Sequence, residues 1–152
     1  MQFILLTLTF LLSCSASAWE TPETAISEYL KYDFNGNRTN GSDWENYITN
    51  YVDVEKDHEE PGYDIATIII SYSFSKPICR PTTCISTVTY SLAKIQDDSE
   101  PPAFPHPNGG TERTLFTITK KANEWRVYSG FGNPYISEEF YKKHFTESNA
   151  SN

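Results

Sequence analysis

Tyr63-Asp64-Ile65-Ala66-Thr67-Ile68-Ile69-Ile70-Ser71-Tyr72-Ser73-Phe74 is the longest run in the chain whose residues favour a buried strand. At the two-residue period of a strand, Ala66, Ile68, Ile70, Tyr72 and Phe74 share one face, and Ile65, Thr67, Ile69, Ser71 and Ser73 share the other. The first face is large and apolar along its whole length, and the second turns polar halfway. Such a strand is central to its sheet and needs a cover on one side. Its partner is the segment 85–95, where Val88, Tyr90 and Leu92 alternate with Thr87, Thr89 and Ser91, and the two predict a long hairpin. Two further strands follow at 114–119 and 124–131. They are joined by the hairpin-length turn Lys120-Lys121-Ala122-Asn123, so the expected sheet is an antiparallel meander.

Upstream of the strand lie two helices. Thr21-Pro22-Glu23 is a helix start: Thr is the N-cap, Pro takes the first position where its missing N–H costs nothing, and Glu suits the helix dipole. Ile26, Tyr29, Leu30 and Asp33 then share one face, and Asn35-Gly36 ends the helix near Phe34 by allowing a left-handed residue. Ser42-Asp43-Trp44-Glu45 has capping-box spacing, and Trp44, Tyr47 and Ile48 give a second helix an apolar stripe ending near Tyr51. The acidic run at 53–60 lacks the mid-loop glycine and spacing of a calcium loop and reads as a solvated charge run. The Pro- and Gly-rich segment 97–112 excludes regular structure, with Phe104 and His106 its only contact candidates. Ser137 caps a short C-terminal helix, E-E-F-Y-K-K-H-F, and residues 146–152 form a polar tail expected to be disordered.

Residues 1–18 carry no charged side chain and are mostly apolar until a Ser/Ala/Cys cluster, the layout of a secretory leader. The run is too short to span as a membrane helix. Ala16-Ser17-Ala18 fits a small-x-small cleavage site that leaves Trp19 first; Leu11-Leu12-Ser13-Cys14 fits, less well, the lipobox that would acylate Cys14 and anchor the chain to a membrane. Cleavage after Ala18 leaves 134 residues, a length suited to one domain, read as 19–145. All charged side chains lie in that part, which carries the whole net charge of −8 and argues against nucleic acid or anionic lipid as partner.

Cys79 and Cys84 flank R-P-T-T between two strand-like runs, and export makes a disulfide there the expectation. The C-x-x-x-x-C spacing is not that of a redox C-x-x-C, and the single, scattered His58, His106 and His144 do not make a zinc site, so no metal or other cofactor is expected. Asn37, Asn40 and Asn149 each begin a glycosylation acceptor pattern, which matters only in a eukaryotic secretory host.

The order of elements is α+β, with N-terminal helices packed on one face of a curved antiparallel sheet. With T-P-E-T-A-I-S-E-Y-L at 21–30, the hydroxyl-rich hairpin over 63–95 and N-E-W-R-V at 123–127, the chain resembles the nuclear transport factor 2-like superfamily. That resemblance implies a cone in which helix and concave sheet enclose a pocket, used for acid–base chemistry in ketosteroid isomerases and polyketide cyclases and for binding or association in many other members. Fold likeness does not fix which.

A catalytic member would need a carboxylate or His inside the pocket, where burial raises an acid's pKa towards neutrality. Asp33, four residues after Tyr29, is the one candidate from an apolar face, with Tyr72, Tyr90 and Trp125 as pocket walls. Beside the Asn35-Gly36 stop, however, its carboxylate is expected to face water. No convergent catalytic set emerges. The leading expectation is therefore an exported binding or interaction domain for a small apolar ligand or a protein partner, a second copy included. The rivals are a small-molecule isomerase, lyase or hydrolase using Asp33, and an inhibitor or immunity-type protein with an acidic surface.

Overall fold

In the computed structural model, which describes residues 19–39, 44–53, 66–94, 109–128 and 132–146, the quoted stretch forms β1, Thr67–Phe74. It lies next to one edge of a curled, open, six-stranded sheet. The other strands are β2 (Ile78–Arg80), β3 (Thr83–Leu92), β4 (Thr111–Lys121), β5 (Glu124–Tyr128) and β6 (Tyr135–Ser137). The order is β5-β4-β3-β1-β6, with β2 hydrogen-bonded to the far end of β3. All neighbours are antiparallel except β6, which runs parallel to β1. The expected meander is thus β1 and β3 to β5, and β6 makes the sheet mixed.

Strict alternation along β1 does not hold. A bulge between Ile69 and Ser71 adds one residue to the strand against β3. Ile68 and Ile69 are both fully buried, on opposite faces, while Ile70, which alternation pairs with Ile68, is 56% exposed. Beyond the bulge Tyr72 and Phe74 pack with Ile69 against the helix, not with Ile68. Full burial of an isoleucine is worth about 1.5–3 kcal/mol, so burying both before the bulge outweighs exposing the third.

The concave, inner face is covered by α1, Pro22–Phe34, which starts and stops as its capping residues predict: the Thr21 hydroxyl accepts from Thr24 N–H at 3.1 Å, and Gly36 has φ +75°. Ala25, Ile26, Tyr29 and Leu30 meet Ile69, Val88, Tyr90, Phe116, Ile118 and Val127 in the main core. Tyr47 of α2, Trp44–Asn50, stacks on Tyr32 and joins that core; the Ser42 cap lies outside the described residues. The free side of β5 is taken by the chain itself, Trp19 bridging Trp125 and Val52 bridging Val127. This leaves few open backbone groups on that edge.

Among the described residues, the outer face is covered only at the β1 and β6 end. There α3, Glu138–Tyr141, capped by the Ser137 hydroxyl, continues into a π-helical turn at Lys142–Thr146. Its Tyr141 packs on Ala66, Ile68, Ala93 and Ile136. Thr146 therefore closes a turn instead of opening the expected tail; residues 147–152, the leader 1–18 and most of the acidic run and Pro-rich loop lie outside the described residues. At the other end of β3, Cys79 and Cys84 face each other across the β2–β3 hairpin and are bonded, Sγ–Sγ 2.08 Å. A disulfide suits an oxidising, exported environment. Among the described residues no helix is long and apolar enough to cross a membrane.

Candidate functional site

Two features of this fold are candidates: a polar cluster buried under α1, and the uncovered outer face of the sheet. The first gathers Tyr29, Asp33 and Tyr90 of the five expected site residues, and adds two that the sequence did not single out, Arg38 and Tyr135. Asp33 is 1% exposed. This corrects the expectation that its carboxylate faces water. The residues after Asn35-Gly36 form a short 3-10 turn, Asn37–Thr39, that folds Arg38 back into the core; Thr39 Oγ1 closes it by donating to the Gly36 carbonyl at 2.6 Å. The Arg38 guanidinium donates to Asp33 Oδ2 and to Tyr29 Oη, each at 3.2 Å, and to the Gly132 carbonyl at 2.6 Å. It also lies over the Tyr47 ring, 5.3 Å from the centroid.

Asp33 Oδ2 accepts a second bond, from the Tyr135 backbone N–H at 3.1 Å. The two charges thus tie the C-terminal end of α1 to the segment that enters β6, and they explain how a three-residue parallel strand is held at its place. Tyr135 is sandwiched in turn: its ring stacks flat on Tyr90 at 3.9 Å, and its hydroxyl donates to Glu112 Oε1 at 2.6 Å.

Burial dominates the electrostatics. Desolvation pushes the Asp33 carboxyl above the ordinary carboxylate range, with the Arg38 charge and the Tyr135 N–H opposing it. The Tyr90 phenol is pushed far up by burial and by the nearby Asp33 carboxylate. Tyr135 is pushed up to about 12 by burial and by its bond to Glu112. Asp33 Oδ1 and Tyr90 Oη are buried polar atoms with no hydrogen-bond partner among the described residues.

Chemically, Oδ2 is committed to a guanidinium and a backbone amide, and Tyr29 and Tyr90 pack into the core instead of bounding an open space. The cluster acts as a latch between α1 and β6. Tyr72 and Trp125 do not join it. Tyr72, half-buried, packs edge-on against Phe34 at 5.3 Å, and burial raises its phenol pKa; Trp125 lies at the β5 edge under Lys120. The signal that could have found Arg38 is a charge requirement: an aspartate on an apolar helix face needs a buried cation, and Arg38 is five residues away.

The second feature was not legible strand by strand. On the outer face, the register sets Ile78 of β2 opposite Ile85 of β3, Ile85 opposite Thr117 of β4, and Thr117 opposite Tyr128 of β5. Leu115, two residues along β4, lies opposite Thr87. Ile78 is 81% exposed and Leu115 72%, with Ile85 and Tyr128 at half or more. Four large apolar side chains therefore share one sheet face that no described residue covers, interspersed with threonines. Arg80 and Arg113 are exposed on the same face, each two residues from one of these apolar side chains. Compared with known proteins, the chain is matched by no protein-family model, no curated protein and no solved structure.

Proposed function

We propose that the chain is a small exported interaction domain that docks a protein partner through the outer face of its sheet. The observation that carries this is the row Ile78, Ile85 and Tyr128, with Leu115 beside it, left exposed by the described residues on a four-strand platform, while α1 covers the inner face and α3 the β1 and β6 end of the outer face. Several large apolar side chains exposed at neighbouring positions of one sheet face are a mark of interaction sites on soluble proteins. The leader-like residues 1–18 and the Cys79–Cys84 disulfide support export. Helix α1 lying across a curled sheet supports a cone-like, nuclear transport factor 2-like architecture whose interior is filled by its own tyrosines.

The commitment of Asp33 to Arg38 and Tyr135 favours this reading over acid–base catalysis. A photo-crosslinking amino acid placed at Leu115 or Tyr128 tests it in cells that export the protein. Discrete adducts at these positions, absent when the probe replaces the exposed Lys31 of α1, are the expected result. Equal labelling at all three positions, or none at any, refutes it.

A further inference from the structure

The docking face has a charge sign opposite to that of the molecule. The chain as a whole is −8. On the outer face of β2 to β5, however, the charged side chains are Arg80, Arg113, Lys121, Arg126 and Glu124. Two of the cations are neutralised locally: Arg126 pairs with Glu124 at 2.8 Å, and Lys121 reaches Asp53 at 3.0 Å. Arg80 and Arg113 pair with no carboxylate among the described residues. Each is two residues along its strand from an exposed apolar side chain, Arg80 from Ile78 and Arg113 from Leu115. On a strand that spacing puts both on one face, about 6.6 Å apart along the chain. The apolar row is thus flanked by unneutralised guanidinium groups on two different strands.

From this arrangement we infer that the partner is a protein whose contact surface is an apolar patch rimmed by aspartate or glutamate, seated on Ile78, Ile85, Leu115 and Tyr128 with its carboxylates at Arg80 and Arg113. The inference rests on the docking reading above. Guanidinium groups at the rim of an apolar contact bind carboxylates in a planar, two-pronged geometry and select partner charge more than they add affinity. A second copy paired through the same face is disfavoured, because a two-fold would bring the unneutralised arginines of both copies into one contact. Elsewhere the excess of acidic groups on this chain repels acidic partners, so attraction is concentrated at this face.

The test uses three synthetic amphipathic helices: a leucine stripe flanked by glutamates, the same stripe flanked by lysines, and a serine stripe flanked by glutamates. Binding to the full mature chain is measured by amide shift changes and titration. The expected result is that the glutamate-flanked leucine helix shifts Ile85, Leu115 and Tyr128 and binds at least about tenfold tighter than either of the others. Arg80→Glu with Arg113→Glu should reverse the preference to the lysine-flanked helix, and added salt should erase the difference between the two.

Equal binding of both leucine helices at this face overturns the acidic partner but leaves the docking reading standing. Binding of phosphatidylglycerol vesicles in place of the peptides also overturns it, as does a dimer broken by Leu115→Lys. Shifts from no peptide overturn it as well, and the docking reading falls with it if crosslinks at Leu115 and Tyr128 are also missing.

Discussion

Replacing Arg38 with methionine, which keeps much of the side-chain length and removes the charge, leaves Asp33 as a buried carboxylate with its counter-ion gone. Three hydrogen bonds go with it, to Asp33, Tyr29 and Gly132. Breaking one side of a buried pair costs about 3–5 kcal/mol, a large part of the roughly 5–15 kcal/mol that holds a domain of this size together. The cost depends on pH, and its sign follows from linkage. The folded pKa of Asp33 lies above its ordinary value of 3.8. The stability linked to this group is therefore present below 3.8 and is lost as pH rises through the folded pKa. Arg38 is the strongest influence holding that pKa down. Arg38→Met raises it further, so the variant is hurt less near the ordinary carboxylate value than at mildly alkaline pH.

Asp33→Asn keeps an acceptor for the Tyr135 amide but strands the Arg38 charge. The double variant strands neither, and should be more stable than Arg38→Met alone, with a coupling of at least about 1.5 kcal/mol. Urea unfolding of the four proteins at several pH values measures all of this. A cost for Arg38→Met below about 1 kcal/mol, or single costs that add within about 0.5 kcal/mol, would refute the latch.

Tyr90→Phe removes a buried hydroxyl that has no partner among the described residues and should leave the fold as stable or more stable by about 1 kcal/mol; a clear loss in thermal unfolding would mean that the hydroxyl is bonded. At Gly36 a Cβ would lie 2.3 Å from the Phe140 ring at a backbone φ of +75°. Gly36→Ala should therefore cost about 2 kcal/mol or more, and an unchanged unfolding midpoint would contradict that packing. Intact protein should take up alkylating reagent at neither Cys79 nor Cys84 until reduced, and replacing both with serine should cost about 2 kcal/mol, since the ring they close is small.

The local chemistry of the sequence was sufficient for α1, for the disulfide hairpin and for the β3–β4–β5 meander, because caps, turn residues and two-residue alternation act over a few positions. What was not legible is non-local. Within Ile68-Ile69-Ile70 three identical side chains give no sign of where the bulge falls, and only the competition between two covering layers decides it. The strand β6 has three residues and pairs with a strand some way back in sequence; its position depends on Asp33 accepting from Tyr135, a contact between residues 102 apart. Arg38 sits among Asn, Gly and Thr, a composition that looks like an exposed loop until the charge of Asp33 is required to have a partner. The outer apolar row takes side chains from four strands, so no single segment displays it.

The central claim is that this outer row belongs to the surface and not to the core, and the free energy of unfolding of an Ile85→Lys, Leu115→Lys double variant measures it most directly. Both side chains stand in solvent on the uncovered face, at 50% and 72% exposure. Exchanging them for lysine should leave stability within about 1 kcal/mol of the unaltered protein, as for ordinary surface positions. A loss of about 3 kcal/mol or more, the scale of deleting a buried aliphatic side chain, would contradict the account by placing the row inside the fold, where no partner could reach it.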